Sequence, residues 1–221
     1  MTKAEIFKRI EEIGIIPAVR TSSAEDALFA SRAVFDGGIP IVEITMTIPG
    51  AVEVISELAR TVPDVIVGAG TVLDLDTAHR CLSAGASFLT STGLDLELVD
   101  FSLKHEIPII PGALTPTEVM AARKAGADLI KVFPCSSMGG ASYVRFLKAA
   151  FPHIALIASG GVTQHTATDF VRAGASGLGV GRDLLPRHAI QQKDSNWIRE
   201  LARRFLGMVA QGRAGTVDPG T

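Results

Sequence analysis

The chain has 221 residues, 47% of them hydrophobic, with 21 Lys and Arg against 23 Asp and Glu and a formal net charge of −2. That length suits one large domain or two small ones, and the apolar content excludes a disordered chain. No apolar run reaches the roughly 18 residues needed to span a membrane, no basic stripe points to nucleic acid, and the scattered histidines form no metal-binding pattern.

The first segment, 3–13, mixes charged and apolar residues and reads as a helix, without the uninterrupted apolar core of a secretory leader. The cytoplasm is the expected compartment. Cys81 and Cys135 are too few for a disulfide framework or a metal set. A strand is predicted over 15–19. The helix that follows, 24–36, has capping oxygens in Thr21-Ser-Ser23 and acids Glu25 and Asp26 for its positive end. Ala27, Ala30, Val34 and Phe35 supply its apolar face, and Gly37-Gly38 stops it.

The alternation then repeats. Strands are expected at 41–45, 65–69, 88–92, 107–111, 129–133, 154–158 and 177–181. Helices are expected at 51–61, 75–84, 95–104, 116–125, 141–150, 165–173 and 195–210. Asp36-Gly-Gly-Ile39, Ser83-Ala-Gly-Ala86, Lys124-Ala-Gly-Ala127 and Arg172-Ala-Gly-Ala175 recur at every second helix-to-strand junction. Eight βα units with that recurrence predict an α/β fold, a (β/α)₈ TIM barrel with an additional N-terminal helix. A doubly wound open sheet is the alternative, but Ile16-Pro-Ala-Val-Arg20 lacks the glycine fingerprint expected after its first strand. One domain over 1–211 is expected, with a frayed tail over 212–221.

A barrel carries its active site at the C-terminal ends of its strands. Those ends here hold Arg20, Glu43 with Thr45 and Thr47, Gly70-Thr71, Ser91-Thr92, Pro111-Gly112, Lys131, Ser159-Gly-Gly161 and Gly181-Arg182. Lys131 is the one lysine in the apolar run Leu129-Ile-Lys-Val-Phe133. It either reaches water at the strand end or lies in a cavity, where desolvation favours the neutral, nucleophilic amine. Glu43, in Ile41-Val-Glu-Ile-Thr45, needs a partner or a proton to survive burial. An acid/base role and a salt bridge to Lys131 are both open, and each places the two side by side.

The remaining candidates have two readings each. Arg20 is a fork for a substrate carboxylate or a surface arginine. Thr71 donates a hydroxyl to substrate or caps a tight turn. Gly160, Gly161 and Gly181, after the last two strands, present N–H groups to a phosphate or simply make turns, and Arg182 adds a charge there. Cys135 reads as a buried, inert thiol.

Together these pieces resemble the 2-keto-3-deoxy-6-phosphogluconate (KDPG) and 4-hydroxy-2-oxoglutarate (KHG) aldolase family. The resemblance rests on Ile16-Pro-Ala-Val-Arg20, Gly38-Ile-Pro-Ile-Val-Glu-Ile-Thr45, Val67-Gly-Ala-Gly-Thr71, Ile110-Pro-Gly112, Ile130-Lys-Val-Phe-Pro134 and Gly160-Gly-Val162, and runs from Ile15 to Leu185. It implies a metal-independent class I aldolase without cofactor, assembled as a homotrimer and acting on a small, phosphorylated 2-keto acid. It implies that Lys131 forms the Schiff base and Glu43 is the acid/base, that Thr71 holds the pyruvate portion, and that Gly160, Gly161 and Gly181 bind the phosphate. Family members with threonine at the position of Thr47 carry an arginine at that of Arg20, so the carboxylate contact falls to Arg20.

The pattern departs at Thr92, where proline is usual, and at Ser159, where threonine is. It departs again at Arg182, which replaces a common serine, and through Cys135-Ser-Ser-Met138. All these departures concern the substrate-binding residues rather than Lys131 or Glu43. Two other readings stay open. One is the same chemistry on KHG or on the galactonate epimer of KDPG. The other is a non-catalytic sugar-phosphate-binding barrel or a phosphosugar isomerase, in which Lys131 and Glu43 form a structural ion pair.

Overall fold

The β-branched runs form strands and the amphipathic stretches between them form helices in the computed structural model, which describes residues 1–215. The strands are β1 (Ile15–Val19), β2 (Ile41–Thr45), β3 (Ile66–Gly70), β4 (Phe88–Thr90), β5 (Ile109–Ile110), β6 (Gly112–Ala113), β7 (Leu129–Val132), β8 (Ala155–Ser159) and β9 (Gly177–Val180). The helices are α1 (Lys3–Ile13), α2 (Ala24–Asp36), α3 (Ala51–Thr61), α4 (Leu75–Ser83), α5 (Leu96–Lys104), α6 (Pro116–Lys124), α7 (Ala141–Ala150), α8 (Ala167–Arg172), α9 (Arg187–Gln191) and α10 (Ser195–Ala214).

Every pairing is parallel. The strand order is β5-β4-β3-β2-β1-β9-β8-β7-β6. The two ends of that order are joined by a single residue, Pro111, so the sheet is an all but closed barrel. The strand expected over 107–111 is therefore shorter, shifted and split in two. Proline has no N–H to give a ladder, and the chain changes partner there, from β4 on one side to β7 on the other. The Pro111 carbonyl still accepts from the Lys131 N–H at 2.9 Å.

Local chemistry explains the helix ends. Ser23 Oγ accepts from the Asp26 N–H at 3.1 Å and starts α2. Gly37 stays helical, and Gly38 makes the left-handed step with φ +99°. Gly85, Gly126 and Gly174 take φ +99°, +101° and +98°, so the sequence repeat is one turn used four times. The last helix runs past the expected stop at 210, to Ala214. Gly212 is buried there because α8 comes close, and a Cβ on it would lie 2.6 Å from the Val171 Cβ. Arg213 donates to the Glu11 and Glu12 carbonyls, two of the orphan acceptors at the end of α1. The part of the predicted tail over 216–221 lies outside the described residues. Among the described residues no helix is long and apolar enough to cross a membrane.

Side chains two apart on a strand share a face, and the inner face is filled unevenly. Gly68 on β3 adjoins Phe88 on β4, which is fully buried. A Cβ at Gly68 would lie 2.1 Å from Phe88 Cζ. Gly68→Ala is expected to destabilise the protein by about 1–3 kcal/mol through overpacking. Urea unfolding reads this as a lower midpoint at unchanged slope, and an unaltered midpoint would contradict it.

Candidate active site

Glu43 is the middle residue of β2 and is only 3% exposed. Lys131 is the third residue of β7, and its Nζ lies 3.5 Å from Glu43 Oε2. The two side chains are 11% and 4% exposed, so the pair sits inside the barrel rather than on its rim. Lys131 does not snorkel to bulk water. Its Nζ is 5.9 Å from the centre of the Phe133 ring, within reach of a weak cation–π contact.

Two neighbours fix the carboxylate. Thr90 Oγ1, at the end of β4, donates to the same Oε2 at 2.8 Å. Gly70, at the end of β3, clears space, because a Cβ there would lie 2.3 Å from Oε1. The Lys131 contact is at the outer limit of a hydrogen bond, so the amine is near the carboxylate without being locked to it. A buried ion pair of this kind is weak evidence for a stabilising role. An amine beside a held carboxylate, in a buried site, is an arrangement suited to nucleophilic attack assisted by proton transfer.

The other expected site residues lie at or just past the C-terminal ends of β1, β3, β4, β8 and β9. Arg20 follows β1 and Arg182 follows β9, and both are exposed, with no hydrogen bond or ion pair among the described residues. Thr71 follows β3 half-buried, with φ +59°, a left-handed conformation that costs a β-branched residue energy. Thr92 is exposed beyond β4, and its carbonyl packs on Gly112, where a Cβ would lie 2.1 Å away. Arg20, Thr71, Thr92 and Arg182 make no hydrogen bond to Lys131 or Glu43 among the described residues.

The loops after β8 and β9 are tied together. Ser159 is buried, and Gly160 and Gly161 take φ +83° and +88°. Ser136, in the turn after β7, donates its N–H to the Gly160 carbonyl at 3.0 Å and its hydroxyl to the Gly161 carbonyl at 2.8 Å. This ties the β8 loop to the segment that follows Lys131. Gly181 is half-buried just past β9. Asp183 Oδ2 accepts from the Gln164 N–H at 2.6 Å, joining the β8 loop to the β9 loop.

Neither Thr90 nor Asp183 is among the residues the sequence singles out: Ser91-Thr92 begin just after Thr90, and Gly181-Arg182 end just before Asp183. The signal for Thr90 is its spacing, since it lies two residues after Phe88 and so shares its inward face. Cys135 is buried and donates to the Val132 carbonyl at 3.2 Å, and burial pushes its thiol up to about 11. It is far from a reactive thiolate. A cleft lined by Met46, Ile48, Glu53 and His79 contains neither Lys131 nor Glu43.

Known proteins are similar to this chain in sequence and in fold. The sequence model of the family described as "Aldolase: KDPG and KHG aldolase" matches residues 6–201. The 2-dehydro-3-deoxy-phosphogluconate aldolase of Treponema pallidum is 31% identical over 207 residues, 92% of this chain and 97% of that protein. The KDPG aldolase of Legionella pneumophila, with pyruvate captured as a covalent carbinolamine intermediate, superposes with a TM-score of 0.81. It is 31% identical, with 86% of this chain and 92% of that one covered. The 2-keto-3-deoxy-6-phosphogluconate aldolase of Zymomonas mobilis, with 3-phosphoglycerate, gives a TM-score of 0.85 at 25% identity, covering 94% of this chain and 97% of that one. With matches along nearly its whole length in sequence and in fold, this chain belongs to the KDPG and KHG aldolase family.

Proposed function

We propose that this protein is a class I aldolase that cleaves KDPG to pyruvate and glyceraldehyde 3-phosphate. The observation that carries the reading is the buried pair itself, Lys131 Nζ at 3.5 Å from Glu43 Oε2, inside the barrel. The carbinolamine of the Legionella relative is the intermediate expected when a lysine amine adds to pyruvate.

In this scheme the neutral Lys131 amine adds to the C2 carbonyl and gives a carbinolamine. Loss of water gives an iminium. Glu43, relayed by a water, takes the proton of the C4 hydroxyl. The C3–C4 bond breaks, its electrons flow toward the iminium nitrogen to give an enamine, and the aldehyde leaves. Glu43 then returns a proton to C3, and water hydrolyses the iminium to pyruvate and free Lys131. Arg20 pairs with the substrate carboxylate, and Thr71 donates to the pyruvate portion. Gly160, Gly161 and Gly181 present N–H groups to the phosphate, with Ser159 and Arg182 at its side and Thr92 near the aldehyde portion. The left-handed Gly160 and Gly161, and the 3-phosphoglycerate of the Zymomonas relative, support the phosphate assignment.

The same machinery acts on KHG, or on the galactonate epimer, if the distal loops differ in preference. A comparison of kcat/KM on all three substrates, coupled to pyruvate detection, tests the reading. KDPG is expected to be the best of them, and a preference for unphosphorylated KHG would contradict the phosphate assignment. We place the protein in the cytoplasm as a homotrimer, in keeping with its unpaired buried cysteines and with the exposed Leu73 and Leu96. Residues 1–211 act as one domain in this reading.

A further inference from the structure

Glu43 has more freedom than its task allows. A glutamate has three side-chain torsions, and a group that moves a proton must be held within hydrogen-bond reach of the reacting atom. Lys131 cannot supply that hold through a turnover. Its contact with Oε2 is already long at 3.5 Å, and its nitrogen is rebuilt as carbinolamine and then iminium. The hold has to come from a group that the reaction does not consume.

Thr90 meets that condition. It is 1% exposed, its backbone is fixed in β4, and its hydroxyl donates to Glu43 Oε2 at 2.8 Å. The contact spans a strand, because β3 lies between β2 and β4 in the sheet. It is made possible by Gly70 on β3, where any side chain would occupy the place of the carboxylate. The two donors within reach both converge on Oε2. Oε1 lies against Gly70, and no donor among the described residues is bonded to it, so the carboxylate is held through Oε2.

Resting on the aldolase reading above, we propose that Thr90 is a positioning residue. Its hydroxyl holds Oε2 of Glu43, so that the carboxylate stays beside Lys131 Nζ through the whole cycle. It touches no substrate and changes no bond. The proton goes from the C4 hydroxyl to Glu43, and later from Glu43 to C3, while the Thr90 hydroxyl keeps its own hydrogen.

Full-length Thr90→Val and Thr90→Ser test this. Thr90→Val keeps the shape and removes the donor, while Thr90→Ser keeps the donor. Loss of a hydrogen bond to a charged group is expected to lower kcat on KDPG about tenfold in Thr90→Val, with KM within about twofold. The rate at which the methyl protons of pyruvate exchange into deuterated water is expected to fall by a similar factor of about ten, because that exchange needs the carboxylate and the Lys131 enamine but no aldehyde. Thr90→Ser is expected to recover both rates to within about threefold. Thr90→Ala is a second variant without the hydroxyl, with the same expected losses, should valine pack poorly.

Borohydride trapping of pyruvate on Lys131 is run on each variant. Intact trapping with slow exchange is the expected result. Intact trapping with wild-type kcat and exchange in Thr90→Val overturns the proposal alone, as do equal losses in Thr90→Val and Thr90→Ser. Failure of the wild-type protein to trap pyruvate on Lys131 overturns the aldolase reading and the proposal together.

Discussion

Lys131→Arg lowers kcat for KDPG cleavage by at least about 10⁴-fold, the scale on which loss of a covalent nucleophile is felt. Arginine is the informative substitution. It keeps a cation beside Glu43, so the carboxylate is not left buried and unpaired, as it would be in Lys131→Ala. A guanidinium stays charged and cannot add to a ketone to form an imine. The variant therefore separates the two readings of this lysine. A structural ion pair tolerates the change and leaves activity within a few-fold of wild type. A Schiff-base lysine does not. Steady-state cleavage, with circular dichroism as a check on folding, measures the difference.

Glu43→Gln is the second large effect. The amide keeps the shape and can still meet Thr90, but it cannot take up or return a proton. General acid–base catalysis contributes about 10²–10⁴-fold, and a loss in that range is expected in kcat. The lysine is still present, so trapping of pyruvate is slowed rather than abolished. A variant that cleaves KDPG within about threefold of the wild-type rate would contradict the acid/base role, since even the lower end of that range is about 10². Glutamine is preferred to alanine because Glu43 fills the space above Gly70, and alanine would leave a cavity there.

Much of this was readable in the chain. Strands 15–19 and 41–45, and helices 3–13, 24–36, 51–61 and 141–150, lie where period and caps put them. Lys131 and Glu43 were legible because a charge inside an apolar strand is costly, and such a residue needs a reason to be there. What escaped depends on groups far apart in sequence. The Thr90–Glu43 bond joins residues 47 apart, and no local pattern announces it. Gly70 reads as a turn residue until its neighbour on β2 is known to be a glutamate side chain.

The split at Pro111 could have been foreseen from its missing N–H, although the change of partner could not. Helix α9 has five residues, too few to show a period. Gly212 stands at the head of the expected frayed tail, yet it lies inside α10. Its real partner is Val171 on α8, a contact between distant parts of the chain.

The Lys131 assignment is the centre of the account, and one measurement addresses it directly. The wild-type protein is incubated with pyruvate, reduced with borohydride, digested and examined by mass spectrometry. One reduced pyruvate is expected on the peptide that carries Lys131, and on no other lysine peptide. An unmodified Lys131 peptide, under conditions that label a known class I aldolase, would contradict it.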